Sequence, residues 1–451
     1  MVEYVNIDNI KPAPYNPRRI SAEQIETLKQ SITEIGFIIP VLINRKNNVI
    51  IAGHQRTKTA KLLGLKKVPA FYVDDIVLGD EIKFNQMHNA IDRSLDAFQE
   101  LLKPHEKEKF IQIDNKEFQN KKANAVSAKE ICKIILKYGN VLSCVICRNK
   151  VVYGCEYVKA CQLLDLKVNS YICDDSKYDK LLYFLNSQYG TFSYDGIERN
   201  TYVQGLAQMN RLANKGKDKK SKLYETMVIP YLQSKGAETT VLDFGCGKGE
   251  YISILKNSYK AIGVEFYNNN RIGINVTKGQ RMIDELIEYF NTRKNFDVVI
   301  CDSVLNSVDS KEAESAVMSF LNLMATDRLF ISGRSQKFIQ GLFKREKDSA
   351  ACKNFMYYID DDGFTADYRQ GKWYFQHFHT EQSARELMEK YGFEVVKYTE
   401  KSSFQCECRK VKSLSEEQYK KAIDFEFDLP LPNGKRYGRN EEVKKALGIC
   451  E

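Results

Sequence analysis

The sequence predicts an α/β protein: two small α+β modules, the second a degenerate copy of the first, then a Rossmann-like sheet with helices on both faces. Three observations predict it. Helix, strand pair, helix and strand follow one another between residues 20 and 75. The same order returns between residues 126 and 175. A glycine-rich strand-to-helix turn at residues 243–249 then precedes a second strand that ends in an acid.

In the first module Ser21 is an N-cap candidate, and Ile25, Leu28, Ile32 and Ile35 follow at helical spacing. Gly36 ends that helix. Phe37-Ile38-Ile39-Pro40-Val41-Leu42-Ile43 reads as a strand, Lys46-Asn47-Asn48 as a turn, and Val49-Ile50-Ile51-Ala52 as its partner. Gly53-His54-Gln55-Arg56 leads into a helix from Thr57 to Leu63, and Val68–Val73 closes the unit as a strand.

The second module repeats the plan. VSAKEICKIILKYG matches the first helix with its glycine, VLSCVICRN and KVVYG match the strand pair, and CEYVKACQLLDLKVNSYICDD matches HQRTKTAKLLGLKKVPAFYVDD. A pair of copies, rather than a long array, predicts duplicated domains. The chemistry is not duplicated, because Gly154-Cys155-Glu156-Tyr157 stands where Gly53-His54-Gln55-Arg56 stood. The second copy is therefore expected to be structural or partner-binding.

The whole chain sets bounds. Its 451 residues allow several domains, and 43% hydrophobic with 28% charged residues is an ordinary globular composition. No apolar run is long enough for a membrane-spanning helix. The first residues lack a signal-peptide layout, so cytoplasm is the expected compartment. Twelve cysteines follow no secreted framework. Cys144-Val-Ile-Cys147 lacks a second pair, so two thiols on one strand is the favoured reading and no metal site is expected. The net charge of +9 leans toward an anionic partner, though solvated lysines account for most of it.

Three blocks in residues 1–95 carry a resemblance: Pro14-Tyr15-Asn16-Pro17-Arg18, Gly36-Phe37-Ile38-Ile39-Pro40-Val41, and Gly53-His54-Gln55-Arg56 ahead of AKLLGLKKVPA. In order and spacing they resemble the ParB/sulfiredoxin-like N-terminal domain. The resemblance implies a nucleotide or phosphate site at Arg18, Gly53, His54, Gln55 and Arg56. The physics agrees: Gly53 lets backbone N–H groups face an anion, and Arg56 adds a bidentate cation. A salt bridge from Arg56 to an acidic neighbour is the bland alternative. ParB proteins usually carry Glu and Arg where His54 and Gln55 stand, and sulfiredoxins carry a cysteine at His54. Neither a CTP switch nor sulfiredoxin activity follows, while hydrolysis or phosphoryl transfer stays open.

In Thr239–Tyr251, Val241 and Leu242 form a buried strand, and glycines 245, 247 and 249 allow a tight turn with close backbone approach to a ligand. Ala261–Glu265 is the next strand, ending in a carboxylate suited to ribose hydroxyls. Asp243 directly before the glycines would repel a pyrophosphate but suits a cationic aminoacid-sulfonium. The third glycine also falls too early for the dinucleotide spacing. The stretch resembles motif I of class I methyltransferases. That implies S-adenosylmethionine held by Asp243, Gly245, Cys246, Gly247, Gly249, Glu265 and Asp302. Further strands at Phe296–Ile300, Arg328–Ser332, Lys372–Phe378 and Glu394–Tyr398 complete the sheet, with helices at Glu312–Met324 and Thr380–Tyr391.

The acceptor is less legible. After the Phe296 strand the chain has Asp302-Ser303-Val304-Leu305, without the Pro-Pro-aromatic loop of amino-methylating DNA enzymes or the Pro-Cys of cytosine-C5 enzymes. Asp302 and Asn306 are candidate catalytic residues that orient an acceptor; capping of the next helix is the equal alternative. His377 and His379 are candidate bases, with a structural role favoured.

The expected layout is a ParB-like module at 1–95, its degenerate copy at 110–190, a helical and basic linker at 191–222, a methyltransferase domain at 223–411 and a C-terminal extension at 412–451. ParB-like domains fused to methyltransferases resemble phage, plasmid and mobile-element proteins, which implies DNA as partner. Methylation of a small molecule or protein is the rival enzymatic reading. A nucleotide-controlled DNA-binding protein that only senses the cofactor is the non-enzymatic one. The oligomeric state is not legible in the sequence.

Overall fold

The computed structural model describes residues 2–16, 18–119 except 91–98, 125–187, 189–207, 220–270, 273–346 and 359–449. Most of the basic run at 213–222, including Lys217 and Lys219, lies outside the described residues. The chain forms two compact units, residues 1–197 with 343–362, and residues 198–342 with 363–451. No helix among the described residues is long and apolar enough to cross a membrane.

The first unit opens with β1 (Glu3–Asn6) and β2 (Arg18–Arg19), then α1 (Ala22–Glu34), β3 (Val41–Asn44), β4 (Val49–Ala52), α2 (His54–Leu62), β5 (Lys67–Val73) and α3 (Leu78–Ala90). Ser21 caps α1 through a capping box with Gln24. The strand expected over Phe37–Ile43 begins only at Val41. Pro40 has no N–H to give a ladder, and the Ile39 carbonyl is taken by the Arg56 guanidinium. The sheet order is β1-β5-β3-β4, with β5 parallel to β3 and the outer pairings antiparallel.

The second half of this unit has β6 (Lys109–Ile113), α4 (Ala125–Tyr138), β7 (Cys144–Cys147), β8 (Lys150–Tyr153), α5 (Cys155–Leu164), β9 (Val168–Ile172), α6 (Tyr178–Asn186) and β10 (Thr191–Phe192). Its order, β6-β9-β7-β8, has the same sense at every pairing. Even the irregularity recurs, between Leu42 and Ile43 in one hairpin and between Val145 and Ile146 in the other. Packing is reciprocal. Ile35 and Ile38, after α1, join Val145, Cys147, Val152 and Tyr171 of the second sheet. Ile134 and Val141, in and after α4, join Leu42, Ile51 and Phe71 of the first. Each half completes the other's core, which is a physical reason for a copy to persist without the arginine. Cys144 and Cys147 fall into two different core clusters. They lie on opposite faces of β7, as odd spacing on a strand requires, so they cannot grip one ion.

The second unit is a doubly wound sheet. α7 (Ile229–Gln233) leads to β11 (Thr240–Phe244), α8 (Glu250–Leu255), β12 (Lys260–Val264), α9 (Val276–Thr292), β13 (Phe296–Asp302), α10 (Lys311–Met324), β14 (Ala325–Ser335) and α11 (Gln336–Glu346), of which residues 336–342 belong to this unit. β15 (Phe364–Arg369) and β16 (Lys372–His379) form a hairpin, followed by α12 (Glu381–Lys390), β17 (Phe393–Glu400), β18 (Ser403–Lys410), α13 (Glu416–Phe427) and α14 (Asn440–Leu447). The order β12-β11-β13-β14 is parallel throughout, and β18 and then β17 add antiparallel strands beyond β14. The last residues of β14 instead pair with β16, Arg334 with Phe378 and Ser335 with His379. Ligands of such sheets sit beyond the carboxyl ends of the parallel strands.

Candidate cofactor and acceptor site

Those carboxyl ends line a cavity of about 220 Å³. Its floor is the turn after β11, where Gly245, Gly247 and Gly249 have φ of 78°, 60° and 79°. These left-handed values favour glycine, and at Gly245 a side chain is also blocked, because an added Cβ would lie 2.2 Å from Val304 Cγ2. The amides of Gly245 and Cys246 bond the Val264 carbonyl. Glu265, one residue past β12, accepts from Gly247 N–H (3.0 Å) with Oε2 and from Tyr267 N–H (3.0 Å) with Oε1. The acid is thereby clamped at the lip of the turn.

Asp243 is buried at the end of β11, and its Oδ2 accepts from the Tyr224 hydroxyl at 2.6 Å. Burial, then the Asp243 charge, pushes the Tyr224 phenol well above its ordinary range. The Tyr224 ring stacks on Tyr251 at 4.0 Å between centroids. Tyr224 lies in a π-helical turn, Tyr224–Val228, that runs into α7. Cys246 also lines the cavity, but its Sγ packs over Gly263, where a Cβ would come within 2.9 Å. Burial pushes this thiol well above its usual range.

Asp302 and Asn306 both line the cavity. Asp302 Oδ1 accepts from Ser332 Oγ (2.7 Å) and Ser303 Oγ (3.2 Å), and Ser303 sits at φ 66°. Neither residue caps α10, whose N-cap is Ser310. The rest of the wall comes from residues that no sequence motif marks. Gln204, in a stretch expected as linker, donates to the Ser307 and Phe375 carbonyls and accepts from Phe375 N–H. Arg334, Arg369, Tyr374 and Gln376 come from β14 and the β15–β16 hairpin. Glu426, from the C-terminal extension, is buried in α13 and pushed up to about 8, by burial first and then by Asp309. The extension is latched on by Tyr267, whose hydroxyl donates to the Pro430 carbonyl at 2.9 Å.

In the first unit, Gly53 (φ 102°) precedes α2 and carries no side-chain cap. His54 Nε2 accepts from Ala13 N–H at 3.1 Å, and burial pushes this imidazole down to about 4. Gln55 donates to the Arg18 carbonyl at 2.8 Å. The structure thus gathers Arg18 and the loop residues around one turn. Arg56 reaches the Ile39 carbonyl and lies over Phe37. Its counterpart Tyr157 is buried; its hydroxyl donates to Asn140 Oδ1 (2.7 Å) and accepts from Asn169 N–H (3.0 Å). Both side chains tie the loop after the module's first helix, one as a cation and one as a neutral phenol.

Comparisons with known proteins find two family matches along the chain. Residues 1–84 match the ParB N-terminal domain family and residues 201–398 a methyltransferase domain family. A probable chromosome-partitioning protein ParB of Campylobacter jejuni is 40% identical over 73 residues, 16% of this chain and 26% of that protein. The ParB-like nuclease domain-containing protein YnaK of Escherichia coli is 35% identical over 75 residues, 17% of this chain and 85% of YnaK. The chain spans about a quarter of the length of the chromosome-partitioning relatives it matches. Among solved structures, the Synechocystis magnesium protoporphyrin IX methyltransferase with bound SAH is similar at 20% identity and TM-score 0.27, covering 41% of this chain and 80% of that one. An S-adenosylmethionine-dependent methyltransferase from Clostridium acetobutylicum gives 11% identity and TM-score 0.30, over 42% and 92%. The chain belongs to the ParB N-terminal domain family through residues 1–84 and carries a methyltransferase domain at residues 201–398.

Proposed function

We propose that the second unit binds S-adenosylmethionine and methylates an acceptor in nucleic acid, with DNA as the partner of the whole chain. The cofactor reading rests on one arrangement: a buried acid, three left-handed glycines and a second acid clamped at the lip of their turn. These residues fit the group. Asp243 would face its cationic amino-acid end, the Gly245–Gly249 backbone would pass beneath it, and Glu265 would take the ribose hydroxyls. When bound, S-adenosylmethionine supplies an electrophilic methyl group on sulfur. The chain's own work is then to align and desolvate. Tyr224 and Tyr251 close one side of the cavity, while Asp302 and Asn306 line it where an acceptor must arrive.

The β15–β16 hairpin favours nucleic acid over a small acceptor. Arg369 lies 4.4 Å from the Tyr374 ring centroid and Lys372 lies 5.0 Å from that of Tyr202. Arg369 and Tyr374 line the cavity and neither is fully buried, so a cation and an aromatic face meet there, with Lys372 on the same hairpin. That combination holds phosphates and stacks bases. The ParB-like loop at Gly53–Arg56 is read as an accessory nucleotide or phosphate site, in keeping with a DNA-modifying protein of mobile elements. The test is tritiated methyl incorporation into separated DNA, RNA, protein and small-molecule fractions. Label in nucleic acid supports the reading; label confined to the small-molecule or protein fraction overturns it and leaves the cofactor site standing.

A further inference from the structure

We propose that Glu314, His377 and His379 form a metal site for Zn²⁺, tying the first turn of α10 to the end of β16. His377 and His379 are two residues apart on β16, so their side chains leave the same face. Glu314 projects from α10 to meet them. His377 Nδ1 lies 2.9 Å and His379 Nε2 3.3 Å from the same carboxylate oxygen, Oε2. All three donor atoms lie within 4.8 Å of one another. Ligands at about 2.0–2.2 Å from a tetrahedral ion stand roughly 3.3 Å apart, close to the two imidazole–carboxylate distances here.

The surroundings suit a metal better than a chance crowding. The three residues are 5%, 1% and 3% exposed, so water cannot screen them. Glu314 Oε2 and His379 Nε2 make no hydrogen bond of acceptable geometry among the described residues. His379 Nδ1 faces Ser383 Oγ at 3.5 Å, leaving Nε2 as the nitrogen aimed at the cluster. Phe364 stacks flat on the His377 ring at 4.0 Å and Phe404 meets His379 edge-on, which fixes both imidazoles. Lys311 is the other cation here, 3.8 Å from the carboxylate and half-exposed. Two imidazoles and one carboxylate are a donor set that zinc accepts, with a fourth position left for water or a second Glu314 oxygen.

The experiment uses the full chain, titrated with Zn²⁺ against a chromogenic chelator and separately with Co²⁺ as a spectroscopic probe. Wild type is expected to hold about one ion per chain, with visible cobalt bands but no thiolate-to-cobalt charge transfer, since no cysteine is in the set. Glu314→Gln and His379→Gln should each weaken binding more than about 100-fold, because even outer-shell partners are worth 10–100-fold. Circular dichroism checks that the variants fold; should either fail to, the wild-type cobalt spectrum decides alone. Absence of cobalt bands, thiolate charge transfer, or equal zinc affinity in folded variants overturns the proposal and leaves a proton-sharing triad.

Discussion

The Tyr224 hydroxyl donates a 2.6 Å hydrogen bond to the buried Asp243 carboxylate, joining a turn that precedes the sheet to the acid that opens the glycine turn. The bond does two things. It gives a charge in the core a donor, and it fixes the carboxylate rotamer that would face a cationic ligand. Tyr224→Phe keeps the stack on Tyr251 and removes only this bond. It should lower stability by about 1.5–3 kcal/mol and weaken binding of S-adenosylhomocysteine roughly tenfold. Denaturant melts and calorimetry check the two numbers separately. Unchanged affinity in a folded variant would show that Asp243 is held in place without it.

A second prediction concerns the floor of the cavity. Gly245→Ala meets two obstacles, a left-handed φ worth about 1–2 kcal/mol and a collision with Val304. It should abolish measurable cofactor binding. Adding Val304→Ala removes the collision but not the backbone strain, so the double variant should recover binding only in part. Full recovery would mean that space, and not backbone conformation, is what Gly245 provides.

Burial, then Asp309, lifts the Glu426 carboxyl to about 8. Its folded pKa therefore lies above its unfolded value near 4.5, and the native state binds more protons throughout that window. Stability from this group is intact below about 4.5 and is lost as pH rises through about 8. Glu426→Gln, which mimics the protonated form, should match wild type near pH 4.5 and be the more stable of the two by pH 8. Thermal melts across that range test it; parallel curves would place the charge of Glu426 in contact with water.

In the first unit, Arg56 and Tyr157 occupy equivalent places with different chemistry. Arg56→Ala should weaken nucleotide or phosphate binding by about 1.5–3 kcal/mol, the value of a charge-assisted hydrogen bond. Tyr157→Phe is the matched control, because truncating a buried tyrosine to alanine would open a cavity. Removing its hydroxyl should cost stability through Asn140 and Asn169 while leaving anion affinity unchanged. Equal losses of affinity in both would refute the division of labour between the copies.

What could be read in the sequence was what local rules encode. Ser21 with Gln24, the Gly245–Gly249 turn and the apolar strand at Phe296 each announce themselves within a few residues, and the structure has them there. Phe37–Pro40 misled because its apolar run resembles a strand, while an arginine 17 positions away in sequence takes its carbonyl. The cavity wall was hidden for the same reason. Gln204 bonds residues 103 and 171 positions distant, and Glu426 arrives on a helix beyond the last strand. No spacing pattern carries such meetings. For α13 alone a local signal could have served: the capping pair Ser415 and Gln418, with Tyr419, Ala422, Ile423 and Phe427 at helical spacing.

The last prediction separates two basic elements that can meet DNA. The hairpin carries Arg369, which lines the cavity, and Lys372, whereas Lys217, Lys219 and Lys220 belong to the basic run at 213–222, inside the methyltransferase-domain match. For duplex DNA, the slope of log affinity against log salt should shrink by about 0.9 for every phosphate that a variant no longer neutralises. A triple alanine variant of the three lysines should flatten that slope and weaken binding without changing methyl transfer once DNA is saturating. Arg369→Ala with Lys372→Ala should reduce transfer at saturation as well, because on the proposed reading Arg369 lines the cavity where the acceptor would lie. Affinity across salt concentrations and single-turnover rates on the same DNA give both quantities. If the hairpin variant changes only affinity, the hairpin serves as an anchor and the acceptor is aligned elsewhere, by Asn306 and Asp302.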